Sequence, residues 1–180
     1  MSDDDGRFLA MGGHRFPGIW QVLLPEDFPY LRPPTEHRAT CGSCYLAALG
    51  DLAADCQCCT YYPQVSNIAV GLALRDTASR DAVRREIRRG GALPIGLLAA
   101  PERLRRSVGL HAEQRFGRDT GAICPFFDAG TTHCAIYPYR NSVCSTFICA
   151  FDHGGAGEHY WERLQQLVGH VDLAASQWAM

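Results

Sequence analysis

Apolar residues recur at intervals of three and four in several stretches of the chain, which is the pattern of helices with one buried face. Residues 64–74 predict a buried helix, and residues 158–171 predict a last helix that packs on the core. Residues 80–89 predict an exposed helix, because its apolar stripe is narrow and two glycines end it. A further apolar face within residues 45–55 predicts a helix between two groups of cysteines. Residues 110–120 are polar and have no clear period, so we expect them to form a connection.

A short β-hairpin is predicted near residue 130. Residues 123–127 are apolar and residues 132–137 favour a strand, and the residues between them have turn chemistry, with Gly130 free to take a positive φ. Cys124 and Cys134 lie near opposite ends of the two arms. Pairing across the turn is therefore expected to bring both sulfur atoms to one side of the hairpin.

The first 40 residues are rich in proline and aromatic residues, a composition that resists long helices and predicts an extended arm on the domain surface. The aromatic residues include Phe16, Trp20, Phe28 and Tyr30. Packing of these rings onto the rest of the chain is the commoner role, and docking of a partner protein or peptide is the alternative. The predicted organisation is an arm over residues 1–40 followed by one metal-tied domain over residues 41–180. Its predicted fold class is mainly α with irregular loops and a small β-hairpin.

Composition restricts the classes of function. The 180 residues are 47% hydrophobic and 20% charged, ordinary values for a globular chain, and the formal net charge is -2. Binding to nucleic acid or to an anionic membrane calls for a basic excess that this chain lacks. The acidic start of the chain precedes no apolar segment of signal-peptide length, and no later stretch is long enough for a membrane-spanning helix. We therefore expect a cytoplasmic protein whose thiols stay reduced, which favours metal binding or catalysis by cysteine over disulfides.

The cysteines are the main candidates for chemistry. All nine are candidate metal ligands: Cys41, Cys44, Cys56, Cys58, Cys59, Cys124, Cys134, Cys144 and Cys149. Cys41 and Cys44 form a C-x2-C pair, a spacing that lets two thiolates turn toward one ion. Successive side chains in extended backbone point apart, so Cys58 and Cys59 are not expected to serve one ion equally well. The spacing leaves open which of Cys56, Cys58 and Cys59 bind.

Together these motifs resemble the YkgJ-type cysteine-cluster family, which is also described as a zinc- or iron-chelating domain. The family pattern is a C-x2-C group ending in a Cys-Cys pair, then C-P, C-x-I-Y and R-P-x-x-C-R-x-F. The corresponding elements here are Cys41 with Cys44 and Cys58-Cys59, Cys124-Pro125, Cys134-Ala135-Ile136-Tyr137, and Arg140 through Phe147. The chain departs from the pattern by an insertion over residues 45–55, by Asn141 in place of proline and by Ser145 in place of arginine.

The resemblance implies a metal held by cysteine. One relative, the flagellin lysine N-methylase, is held to carry an iron-sulfur cluster, whereas most members of the family have no assigned activity. The resemblance therefore leaves open whether this chain is an enzyme.

Zinc and iron-sulfur clusters both accept four thiolates, so residue type alone does not choose between them. The wide spacing of the cysteines from Cys124 to Cys149 favours an iron-sulfur cluster, with 4Fe-4S as the preferred form, over the short paired knuckles of structural zinc. Zinc is the alternative. His133 is expected on the opposite strand face from Cys134, and His153 is the best substitute ligand among the histidines.

The sequence identifies no catalytic residue. It contains no dinucleotide, nucleoside triphosphate or acyl-transfer motif. Asp128 and Arg140 are candidates for substrate contact, although turn formation and carboxylate pairing are commoner roles. The arginines between Arg80 and Arg106 form either an anion site or a solvated face. Three functions remain: an iron-sulfur protein in redox or in modification of another molecule, a zinc-stabilised module that binds a partner, and a protein that holds its metal reversibly.

Overall fold

The structure, a computed structural model, describes residues 6–11, 13–28, 32–36, 43–99, 101–113 and 115–180. The α-helices are α1 (Trp20–Leu23), α2 (Tyr45–Ala48), α3 (Asn67–Arg75), α4 (Arg80–Glu86), α5 (Pro101–Ala112), α6 (Ser142–Ser145) and α7 (Gly154–Trp178). The strands are β1 (Phe8–Met11), β2 (His14–Pro17), β3 (Val65–Ser66), β4 (Ala92–Leu93), β5 (Gly96–Leu97), β6 (Phe127–Asp128) and β7 (His133–Cys134). Within the described residues the strands form three antiparallel sheets, ordered β1-β2, β3-β5-β4 and β6-β7. The chain is thus a single small domain, mainly helical, with a few small sheets.

One of two hydrophobic cores joins the N-terminal residues to α7. Phe16 and Trp20 stack with ring centroids 5.2 Å apart, and Phe16 also stacks on Trp161 of α7 at 5.8 Å. Leu164 and Val168 follow Trp161 on the same face of α7, and both are buried. The rings of the first 28 residues therefore pack onto their own domain, which is the role that the sequence favoured. The boundary predicted near residue 40 stays a prediction, because residues 37–42 lie outside the described residues.

The second core holds α3 and α4 against the β6-β7 hairpin. It includes Ala73 and Val83 from the two helices and Phe126 and Ile136 from the hairpin segment, all of them buried. Ser66 caps α3, since its hydroxyl oxygen accepts a hydrogen bond from the backbone N–H of Ala69 at 3.2 Å. Cys124 belongs to this core, and Cys59 and Cys134 pack against it.

The predicted helices differ from the observed ones in length. The helix expected over residues 45–55 has only four residues, because the chain turns after Ala48 and Gly50 takes a φ of 80°. Helix α5 overlaps the connection expected over residues 110–120 only at its end, and the sequence analysis predicted no element for its residues from Pro101 to residue 109. Helix α4 is only partly exposed, because Ala82 and Val83 are buried. No helix among the described residues is both long and apolar enough to cross a membrane.

A buried carboxylate fixes the start of α7. Glu36 is 3% exposed, and its carboxylate accepts hydrogen bonds from the backbone N–H of His153 and from His153 Nδ1, both at 3.1 Å. The carboxylate also lies against Gly157, where a Cβ atom would meet Glu36 Oε1. The carboxylate lies at the N-terminal end of α7, where a negative charge interacts favourably with the positive end of the helix dipole.

We predict that Glu36→Ala lowers the free energy of unfolding by roughly 1.5–3 kcal/mol, because hydrogen bonds to a buried charged group contribute that much. Chemical denaturation under reducing conditions measures the change. Glu26→Ala is the matched control, since Glu26 is an exposed acid of the same segment. Equal stability of the two variants would show that Glu36 does not anchor α7.

Candidate metal centre

A cavity of about 210 Å³ lies beside the second core, and five cysteines line it. These are Cys58, Cys59, Cys124, Cys134 and Cys144. The rest of the wall is Tyr61, Pro63, Phe116, Phe126, Ile136, Arg140, Val143 and Phe147. Among the described residues, the cavity is therefore lined mainly by sulfur and apolar groups, with a single arginine.

Two backbone hydrogen bonds bring the cysteine segments together. The N–H of Cys124 donates to the carbonyl oxygen of Cys59 at 2.7 Å, which joins the two halves of the cysteine motif across 65 residues of sequence. The N–H of Ala135 donates to the carbonyl oxygen of Phe126 at 2.7 Å, and Phe127 pairs with Cys134 in the hairpin. The hairpin thus places Cys124 and Cys134 on the same cavity, as the sequence predicted.

Cys58 and Cys59 both line the cavity, although adjacent side chains were expected to point apart. The backbone here is a tight turn and not extended, and which of the two cysteines binds an ion stays a prediction. The N–H of Cys59 donates to the carbonyl oxygen of Cys56 at 3.0 Å, and Gln57 takes a φ of 50°. Such a left-handed conformation is rare outside glycine, and it gives no sequence signal at a glutamine.

Helix α6 presents Cys144 to the cavity. Asn141 caps this helix, since its side-chain oxygen accepts a hydrogen bond from the backbone N–H of Cys144 at 3.0 Å. The asparagine that replaces proline in the family pattern therefore has a defined structural role. Ser145, which replaces arginine, is buried and donates to the carbonyl oxygen of Arg140 at 3.2 Å.

Arg140 ties the end of the hairpin segment to α6. Its Nε donates to the carbonyl oxygen of Tyr137 at 3.1 Å, and its Nη1 donates to the carbonyl oxygen of Cys144 at 2.9 Å. The guanidinium also lies 3.7 Å from the centroid of the Tyr137 ring. Arg140 thus supplies a fixed positive charge on the cavity wall.

The thiols of the cavity differ in acidity. The Cys59 thiol donates a hydrogen bond to the sulfur of Cys58, which lowers the pKa of Cys58 and raises the pKa of Cys59. Arg140 also lowers the pKa of Cys58. Burial raises the pKa of Cys124.

Of the other candidate ligands, those that the structure describes do not line this cavity. Cys41 lies outside the described residues. Cys44, Cys56 and Cys149 lie away from the cavity wall. Burial raises the pKa of Cys56, whose thiol donates to the carbonyl oxygen of Gly117 at 3.2 Å.

The contact from Cys56 helps to place an aromatic wall of the cavity. Thr60 accepts a hydrogen bond from the N–H of Gly117 at 2.7 Å, so Cys56 and Thr60 hold both polar groups of this glycine. Gly117 has a φ of 69° and lies against Leu52, where a larger residue would clash. The preceding residue, Phe116, thereby reaches the cavity. The polar sequence around Phe116 gave no indication of this role.

Neither candidate histidine faces the cavity. His133 is exposed and alternates with Cys134 along β7, as the strand period predicts. His153, proposed as a substitute ligand, instead contacts Glu36. Asp128 serves the hairpin turn, because its carboxylate accepts from the N–H of Gly130 at 2.9 Å and this hydrogen bond lowers its pKa.

The fit of a metal to this cavity depends on its size as well as its sulfur atoms. Among the described residues, no three His, Cys, Asp or Glu side chains form a ready-made site for a single ion. The cysteines surround a space that exceeds the roughly 150 Å³ in which an apolar protein cavity holds benzene. Five thiols around this space supply the donor type that both zinc and an iron-sulfur cluster take.

No protein-family model, curated protein or solved structure matches this chain. The resemblance to the cysteine-cluster family thus depends on the motifs alone.

We predict that Arg140→Met lowers the free energy of unfolding by about 2 kcal/mol, because two carbonyl groups lose a charged donor. Denaturation of the metal-free protein measures this effect apart from any metal. Arg105→Met, at an exposed site, is the control. Arg140→Lys is expected to recover little, since lysine lacks the planar fork that spans both carbonyls. A variant as stable as the control would disprove the linking role of Arg140.

Proposed function

We propose that the cysteine-lined cavity binds an iron-sulfur cluster, with 4Fe-4S as the preferred form, and that the protein acts in redox or in modification of another molecule. The observation that supports this proposal is the meeting of Cys58, Cys59, Cys124, Cys134 and Cys144 at one cavity. Five thiols exceed the four that a cubane cluster takes. One of the adjacent pair, Cys58 or Cys59, is then left beside the cluster.

The shape of the cavity supports a cluster over zinc. A single zinc ion binds four sulfur atoms at about 2.3 Å each, so the sulfur atoms close around the ion and leave no further space in the site. A cluster of several irons keeps its cysteine sulfurs farther apart. The cysteines here are spread around a cavity of about 210 Å³.

The wall of the cavity suits a charged redox group. Phe116, Phe126 and Phe147 form an apolar part of the wall, and Arg140 places a positive charge near the thiols. Burial and nearby charges are the features by which proteins set the potential of such clusters. A bound cluster would supply one-electron transfer. The reducing conditions that it needs agree with the proposed cytoplasmic location.

A zinc-stabilised module that binds a partner is the second candidate. Arg84, Arg85 and Arg88 are exposed on α4 and the turn after it, which is the surface that such a module would offer to an acidic protein. Metal identity separates the two proposals, because a structural zinc site is colourless and has no redox chemistry.

Anaerobic purification followed by elemental analysis and visible absorption tests the cluster. We expect a coloured protein that contains iron and acid-labile sulfide and that bleaches on reduction. Colourless protein with stoichiometric zinc would replace the first proposal with the second. Protein that retains neither metal after reconstitution would contradict both.

Serine variants test the ligand set. We predict that Cys134→Ser and Cys144→Ser each lose most of the metal and lower the melting temperature, because metal binding and folding are coupled. Cys44→Ser and Cys149→Ser are the matched controls and should retain the metal, since these residues do not line the cavity. Elemental analysis of all four variants gives the comparison. Full metal content in both cavity variants would exclude these two residues as ligands.

A further inference from the structure

A second concave site adjoins the cysteine cavity and has the opposite character. It has a volume of about 250 Å³ and lies between the start of α3, the start of α6 and the last part of α7. Its wall is formed by Tyr61, Gln64, Ser66, Asn141, Ser142, Val143, Gly169, Asp172, Leu173 and Ser176. We call it the Asp172 pocket. Most of its side chains carry hydroxyl, amide or carboxylate groups.

Asp172 is the acid of this pocket. Its carboxylate accepts a hydrogen bond from the backbone N–H of Ser142. The nearby hydroxyl of Ser176 donates instead to the backbone carbonyl oxygen of Asp172, at 2.7 Å. Within the part of the chain that the structure describes, no arginine or histidine pairs with this carboxylate. The carboxylate lines the pocket and can accept more hydrogen bonds than the one from Ser142.

Close packing of α6 on α7 shapes the pocket. Gly169 lies opposite Ser142, and a Cβ atom at residue 169 would approach the Ser142 hydroxyl oxygen to 3.2 Å. The glycine thus lets the start of α6 come near Asp172, one turn further along α7. On the other side, the Asn67 side chain donates to the carbonyl oxygen of Ser176 at 2.9 Å and fixes α3 against α7. The walls of the pocket are consequently held by contacts that leave the carboxylate available.

The ionised form of the Asp172 carboxylate lowers the stability of the fold. Burial raises the pKa of Asp172 to about 6. A carboxyl group whose pKa is higher in the folded chain than in the unfolded chain stabilises the fold at low pH and loses that contribution as the pH rises through about 6. At neutral pH the ionised group therefore opposes folding. Groups that are retained against stability are enriched at binding sites.

We propose that the Asp172 pocket binds a small organic cation that carries N–H donors, such as an alkylammonium or guanidinium group. Asp172 pairs with the positive charge, and the hydroxyl and amide oxygens around it accept the remaining N–H groups. The volume accommodates a molecule of several non-hydrogen atoms and exceeds what one inorganic ion fills. This assignment does not depend on the identity of the metal.

The pocket is placed where a ligand would lie next to the cysteine cavity. Tyr61 and Val143 belong to the walls of both. A hydrogen bond joins the side chains of Tyr61 and Asn141, and burial raises the pKa of Tyr61. The side chains of Tyr61 and Val143 therefore form a wall that the two sites share.

Titration with propylammonium and with ethylguanidinium, followed by amide chemical shifts in two-dimensional NMR of the full chain, tests the proposal. We expect shifts at Ser142, Gly169 and Ser176, and at least a tenfold loss of affinity in Asp172→Asn. Glu162→Gln is the matched control, because it removes an exposed carboxylate from the same helix. Tetramethylammonium has no N–H donor and should bind more weakly. Tighter binding of calcium, or equal binding to Asp172→Asn and wild type, would overturn the assignment.

Thermal unfolding provides an independent test that needs no ligand. Asp172→Asn should raise the melting temperature at about pH 8, where the wild-type carboxylate is ionised, and should have little effect at about pH 4. Tyr61 is the other titratable side chain that lines the described pocket wall, and it is unchanged in the variant. A lower melting temperature at about pH 8 would show that the carboxylate stabilises the fold, and the proposal would fail. The metal content of the variant should remain unchanged, so this result is separate from the test of the metal centre.

Discussion

The backbone hydrogen bond from Cys124 to Cys59, at 2.7 Å, joins the parts of the chain that carry the cavity thiols. Regular structure around it is short: the hairpin strands have two residues each and α6 has four. Few ladder or helix hydrogen bonds therefore hold these segments in place. The contacts that do so are individual ones, including the Arg140 fork and the turn at Gln57. A metal bound by the same segments would stabilise their relative positions, as the hydrogen bonds of a larger sheet do in other domains.

Helix α6 connects the two sites. Its residue Cys144 lines the cysteine cavity, and Ser142, two residues earlier, lines the Asp172 pocket and donates to its acid. Asn141 caps the helix and contributes to the pocket. The four residues of α6 thus position both the Cys144 thiol and part of the polar wall of the Asp172 pocket. The long helix α7, anchored at its start by Glu36, forms the far side of the pocket.

The sequence predicted those features that depend on local pattern. The hairpin and the shared position of Cys124 and Cys134 followed from a turn between two apolar runs, and α3 followed from its apolar period. The sequence did not predict that Cys58 and Cys59 both line one cavity. This arrangement depends on the positive φ of Gln57, and a glutamine in the sequence does not indicate such a conformation. Helix α5 was missed because its surface is charged. Asp172 is one acid on an amphipathic helix, and only the tertiary structure shows that it lies in a pocket.

We propose that thiols from distant segments share one inorganic centre. X-ray absorption at the iron and zinc edges of the protein, isolated without oxygen, measures the atoms around the metal directly. We predict iron with a first shell of sulfur and a second shell of iron. A shell of oxygen and nitrogen, or isolated zinc without metal neighbours, would contradict an iron-sulfur cluster in this cavity.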